Sequence, residues 1–292
     1  MAKKIRYSQP LSVMWEAYNK SNKDGNLSPQ DFIYEWMTPQ ITNPFLADKK
    51  QVQANILVSE MFFVDTQKEF LHLYFVDKSL RDFFKDLPIK DFDGLMLTLL
   101  EKGIDRESGV ISSIGQTARS GRVEKCLDFG IHIPFENKYR GYAFSFAYQP
   151  EDKELLFAWL VGSDSGYITV DRYKTLVSNE SEDARKIVEY FQLAVNTIIY
   201  MNTFPECVVD GVPQNVKQEY SKKIEIAETV ADIINGSSRT VAPHSRRAYF
   251  KRLTSDFYTH KKGQTILVRE TMVNGKAKTI YSANDLEKLT EK

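Results

Sequence analysis

The sequence predicts an α+β protein: a helical N-terminal part, an antiparallel sheet in the middle packed by a long helix, and a small basic C-terminal module ending in a β-hairpin. Three observations predict it. Apolar residues recur at helical spacing in the first quarter and again over residues 182–199. Between them, over about 124–173, short aromatic and β-branched runs are broken by Gly, Pro and polar residues. After residue 236, cations crowd into a segment of otherwise β-rich pattern. Residues 1–236 are thus read as an α+β body, helical over 1–90 with the sheet and long helix over 91–236, and residues 237–292 as the basic module.

The elements follow in order. "SPQDFIYEWM" opens a helix with Ser28 as N-cap, Pro29 at the first helical position and Asp31 in the first turn. A second helix is expected from about Lys49, where Val52, Ile56 and Phe63 with Leu57, Met61 and Val64 suit a buried face. "SLRDFFKDL", 79–87, makes a short helix before Pro88, and "FDGLMLTLL", 92–100, is read as a possible further strand. In the meander, Tyr142, Phe144 and Phe146 alternate with Ala143, Ser145 and Ala147, giving a large-residue and a small-residue face. "GYITVDRY" is its last strand.

The long helix is expected to start with a capping box of Asn179 and Glu182 and to bury Ile187, Phe191, Ala194, Val195 and Ile198 across the sheet. "FPECVVDGVPQN", 204–215, is read as a loop, and "SKKIEIAETVADIIN" as one more helix ended by Gly236. Asn274-Gly275 marks a type I′ hairpin turn between two β-rich segments.

Composition narrows the function. With 42% apolar and 27% charged side chains over 292 residues, the chain can bury a sizeable core. Two widely separated cysteines, Cys126 and Cys207, give neither a disulfide framework nor a zinc site and fit a reducing compartment. The basic opening "MAKKIRYSQPLSVMW" lacks the apolar run of a signal peptide, and no segment reads as membrane-spanning, so a cytoplasmic location is expected.

Familiar chemistries find little support. "YNKSNKDGNLSPQDF" approaches calcium-loop spacing, but it puts Lys20 at the first ligand position and Asp31 in place of the closing glutamate, so it is read as a turn and helix cap. "LDFGI" lacks the other kinase motifs, and "IGQTARSG" lacks the Gly-Lys-Ser/Thr ending of a phosphate-binding loop. His72 lies in an apolar-rich stretch and His132 within an expected strand, where a packed or solvent-facing role is the commoner one. No metal, cofactor or small-molecule substrate is expected.

Charge is where the chain departs from the ordinary. Its net charge is zero, yet ten cations stand against two acids between Arg239 and Lys278, leaving that segment at +8 and the remainder at −8. Clustered cations favour an anionic partner. In "PHSRRAYFKR", Arg246, Arg247 and Arg252 offer planar forks for phosphate, Lys251 adds a point charge, and Tyr249 and Phe250 can stack on unpaired bases. With His244, Lys261 and Lys262 these residues form the candidate nucleic-acid-binding set. The other reading packs the rings under a terminal hairpin and turns the cations to water. A metal-independent ribonuclease using His244 or His260 is the catalytic alternative, and binding without chemistry is the reading preferred here.

The same stretch resembles the C-terminal signature of a phage and mobile-element protein family that includes a type V-A anti-CRISPR inhibitor acting on effector biosynthesis. The signature runs Pro-His-x-Arg-Arg-Gly-His-Trp, then a gap and a basic strand; Pro243, His244, Arg246 and Arg247 match it, and "TILVRETMVNG" is similar to the final strand. Ala248-Tyr249-Phe250 stand where the family has Gly-His-Trp, which removes the second histidine and keeps an aromatic role. The resemblance covers about forty residues. It implies an anti-CRISPR or related anti-defence protein, with a CRISPR effector or its nascent chain and RNA as partners. A nucleic-acid-binding regulator of the mobile element itself is the alternative.

Overall fold

The computed structural model describes residues 18–32, 73–102, 104–108, 122–132, 141–149, 154–161, 164–211, 221–236, 245–246, 248–269 and 271–272. The elements are α1 (Pro29–Phe32), β1 (Leu73–Val76), α2 (Lys78–Asp86), α3 (Phe92–Lys102), β2 (Ile104–Ser108), β3 (Arg122–His132), β4 (Tyr142–Gln149), β5 (Glu154–Val161), β6 (Asp164–Thr169), α4 (Val170–Leu176), α5 (Glu182–Thr203), β7 (Val208–Asp210), β8 (Ser221–Ile224), α6 (Glu228–Gly236), β9 (Ser245–Arg246), β10 (Tyr249–Arg252), β11 (Thr265–Val268) and β12 (Thr271–Met272). The class is α+β. The chain divides into two compact units, Met1–Phe75 with Gly103–Val170 and Gly211–Lys222, and Val76–Lys102 with Asp171–Asp210 and Lys223–Lys292. The boundary drawn on composition at residue 236 lies inside the second unit.

The first unit is built on an antiparallel meander in which β3, β4, β5 and β6 pair in sequence order. Strand β3 is long enough to take two partners on its other side, β2 antiparallel along Arg122–Cys126 and β1 parallel along Gly130–His132. The alternation read from the sequence places Tyr142, Phe144 and Phe146 in the core. Their rings continue into β5, with centroids 5.7 Å apart for Phe144 and Phe157, and 5.8 Å for Phe157 and Trp159. Trp159 lies over Gly166, its register partner on β6; a Cβ there would come 2.6 Å from the indole. The glycine makes room for the ring.

Residues 18–32 form a turn and cap. Asn22 Oδ1 accepts the Leu27 N–H at 2.9 Å, and Ser28 Oγ accepts the Asp31 N–H at 3.1 Å while donating to Asp31 Oδ2. Gly25 supplies the left-handed residue at φ 72°. Two oxygens of the calcium-like pattern are therefore engaged in holding the backbone.

The second unit is organised by α5. Its N-cap is Ser181, whose Oγ accepts the Ala184 N–H at 3.2 Å, while Asn179 Oδ1 accepts the Ser181 N–H at 2.9 Å. The expected Asn179/Glu182 box is corrected by two positions: serine takes the cap and asparagine braces it. The helix buries Phe191, Ala194, Val195 and Ile198 as expected and leaves Ile187 half-buried. Within the unit it packs on α2, α3 and β11. Phe84 meets Tyr200 edge-on at 5.1 Å, and Tyr173 of α4 stacks on Phe191 at 4.2 Å. Asn196 donates to the carbonyls of Phe84 (2.8 Å) and Leu87 (2.9 Å), closing the C-terminal end of α2.

Three expectations change. Residues 92–100 are helical, not a strand, because Asp91 accepts the Gly94 N–H at 2.9 Å and starts α3 there. "GYITVDRY" ends as a strand at Thr169, and Val170 opens α4. "SKKIEIAETVADIIN" divides into β8 and α6, and the loop expected from 204 holds a turn of 3₁₀-helix, Pro205–Cys207, and β7. The helix expected from Lys49 and the turn at Asn274-Gly275 lie outside the described residues. Among the described residues no helix is long and apolar enough to cross a membrane.

Candidate nucleic-acid interface

Within the basic segment the described structure is an antiparallel hairpin. β10 pairs with β11 from Tyr249↔Val268 to Arg252↔Thr265, and β9 pairs separately with β12. Side chains alternate along a strand, so Phe250 and Arg252 share one face of β10 and Tyr249 and Lys251 the other. That alternation decides which residues of the expected set reach solvent.

Phe250 and Arg252 turn inward, 3% and 8% exposed. The Arg252 guanidinium forks onto the Glu101 carboxylate, with Nη1 3.0 Å from Oε2 and Nη2 on Oε1, and Nη1 also reaches Thr98 Oγ1 at 3.5 Å. Its backbone N–H donates to Asp91 Oδ2 at 2.6 Å. Arg252 is therefore the pin that holds the hairpin on α3, and Phe250 is core. Both expectations of surface contact are corrected: burial leaves no ring face for a base and no free fork for a phosphate.

Tyr249 is half-buried, with the Lys90 ammonium 4.4 Å from its ring centroid, so one ring face already has a cation. Lys251 is exposed and has no ion-pair partner among the described residues. Arg246 lies in β9, while His244 and Arg247 fall outside the described residues.

The loop from Leu253 to Gln264 carries the rest. Lys262 is exposed and pairs with Asp256; Lys261 is half-buried; His260 is exposed and makes no side-chain hydrogen bond among the described residues. The loop is closed by Leu253 N–H to Gln264 O (2.8 Å) and Gly263 N–H to Leu253 O (2.7 Å), with Gly263 at φ 88°. At its tip Phe257 is 85% exposed and meets Tyr258 at 5.5 Å with the rings 86° apart.

The sequence-based set omits Phe257. The signal was present, a phenylalanine between Asp256 and Tyr258 inside a basic stretch, but periodicity does not separate a ring at a loop tip from one in a strand core. The surface that emerges is a hairpin bearing Lys251, Lys261, Lys262, His260 and the Phe257 ring. Cations and an accessible ring are the two features by which single-stranded nucleic acid is held. No family model, curated protein or solved structure matches the chain. Among the described residues no group of His, Cys, Asp or Glu is placed to hold a metal ion.

Proposed function

We propose that the chain binds RNA through the β10–β11 hairpin and acts in anti-defence, lowering or blocking a CRISPR effector through protein and RNA contacts. The observation that carries the RNA part is the exposed set Lys251, His260 and Lys262 around one internally bonded loop. The Pro243-His244-x-Arg246-Arg247 resemblance supports the anti-defence setting. The ribonuclease alternative, which uses His244 or His260, has less behind it at His260, where no hydrogen-bond partner among the described residues orients the ring.

Two measurements test the two parts. RNA affinity is expected to fall with salt, and replacing Lys251, Lys261 and Lys262 together by alanine shallows the log–log slope by roughly 0.7 per lost phosphate contact. An unchanged slope refutes the hairpin as the RNA surface. Co-expression beside a panel of CRISPR effectors, with effector message and protein measured separately, tests the setting. A fall in both, or blocked activity at intact levels, supports it. No effect on any effector removes the anti-defence reading and leaves the RNA-binding one.

A further inference from the structure

Phe257 is 85% exposed, well above the other exposed large apolar side chains among the described residues, of which Val177 at 55% is next. A ring so placed on a wandering segment would mean little. Here the backbone around it is tied at short intervals: Phe257 N–H donates to Ser255 Oγ (3.3 Å), Tyr258 N–H to Ser255 O (3.1 Å), Lys261 N–H to Tyr258 O (3.0 Å) and Gln264 N–H to Lys261 O (3.0 Å). Tyr258 meets the ring edge-on. The protein holds the backbone under an apolar ring in water, and two lysines, Lys261 and Lys262, follow within five residues together with His260.

We infer that Phe257 stacks on an unpaired base, so that the hairpin selects single-stranded over double-stranded RNA. This rests on the RNA-binding reading above and adds what that reading lacks, a preference. Cations alone follow phosphates, which are denser along a duplex, and give no preference for unpaired bases. A π-face has a partner only where a base face is free, and in an A-form duplex every internal base is stacked and its major groove is too deep and narrow for a side chain. The tip also differs from the stacking residues expected on β10, where Phe250 is buried and Tyr249 already faces Lys90. Lys262, five residues on from the ring and paired with the exposed Asp256, can exchange that carboxylate for a phosphate at little cost.

The test uses the full chain with an unstructured oligouridylate and a blunt RNA duplex of equal length, followed by fluorescence anisotropy. Wild type is expected to favour the single strand. Phe257→Ala lowers affinity for it by about 5- to 150-fold, the range for one lost base stack, and leaves duplex affinity and the melting curve unchanged. Phe257→Trp restores binding, whereas Phe257→Leu, apolar without a π-face, does not. If both RNAs bind with a normal salt slope and Phe257→Ala changes neither, the ring serves a protein contact, and stacking is overturned while RNA binding stands. If neither RNA binds, the underlying reading fails and the inference falls with it.

Discussion

Asp91 and Arg252 are joined across 161 positions by a backbone N–H bond of 2.6 Å to Oδ2, while the other oxygen of the same carboxylate accepts the Gly94 N–H at 2.9 Å. One side chain thus starts helix α3 and docks strand β10 on it. Because the two bonds share a carboxylate, the helix start and the strand position are set together, and several variants report on that junction.

Gly94→Ala is the sharpest. In an ordinary helix interior this change stabilises by up to about 1 kcal/mol. Here a Cβ would lie 2.5 Å from Asp91 Oδ2 and 2.8 Å from the Arg252 Cβ. The sign reverses, and a loss of about 1–3 kcal/mol is expected, read as a lower urea midpoint with unchanged m-value.

Arg252 and Lys251 are adjacent in sequence and opposite in role. Arg252→Met removes a fork to Glu101, itself 51% exposed, and costs about 1–3 kcal/mol of stability. Its RNA affinity, measured where the variant is folded, stays at the wild-type value. Lys251→Met leaves stability within about 0.5 kcal/mol and shallows the salt dependence of RNA binding. The reverse pattern would exchange their roles.

Asn196, 1% exposed, satisfies two carbonyls at the end of α2. Asn196→Leu fills the space and leaves both acceptors without donors, for an expected loss of about 2–4 kcal/mol. Thermal unfolding measures it, and amide exchange in α2 should quicken ahead of global unfolding.

Burial pushes the Tyr173 phenol up to about 12, partly offset by its hydrogen bond with Gln192, and burial raises Tyr200 as well. A phenol ionises to an anion, so a raised folded value means the folded state keeps its proton longer. Stability is full below the ordinary value of 10.0 and is lost as pH rises from there through about 12, by up to about 3 kcal/mol for Tyr173. Spectrophotometric titration should show phenols that ionise only with unfolding. Tyr173→Phe should reduce the alkaline loss.

The sequence made the meander and α5 legible because each follows one period over many residues: Tyr142, Phe144 and Phe146 by twos, and Phe191, Ala194, Val195 and Ile198 by helical steps. Residues 92–100 were misread because Leu95, Leu97, Leu99 and Leu100 satisfy either period, and the deciding signal, Asp91 as cap, stands one residue before the stretch. At the candidate interface, charge named the right segment but not the inward pair. Arg252 stands next to Lys251 on the opposite side of the strand, and Glu101, its partner, is 151 positions away. Long-range pairing of that kind leaves no local pattern.

That separation also sets an order of events during synthesis. The second unit takes its helices α2 and α3 from early in the chain and the hairpin that pins α3 from late in it. At about 5–20 residues per second, Glu101 leaves the peptidyl-transferase centre some 8–30 s before Arg252 is joined to the chain, given the 151 residues between them. Over that interval the acidic side of the junction has no arginine to meet. A ribosome stalled before Arg252 would hold a chain whose second unit cannot close, and arrested-chain proteolysis at successively later stall points, which carry Arg252 out of the exit tunnel, would reveal the moment of closure.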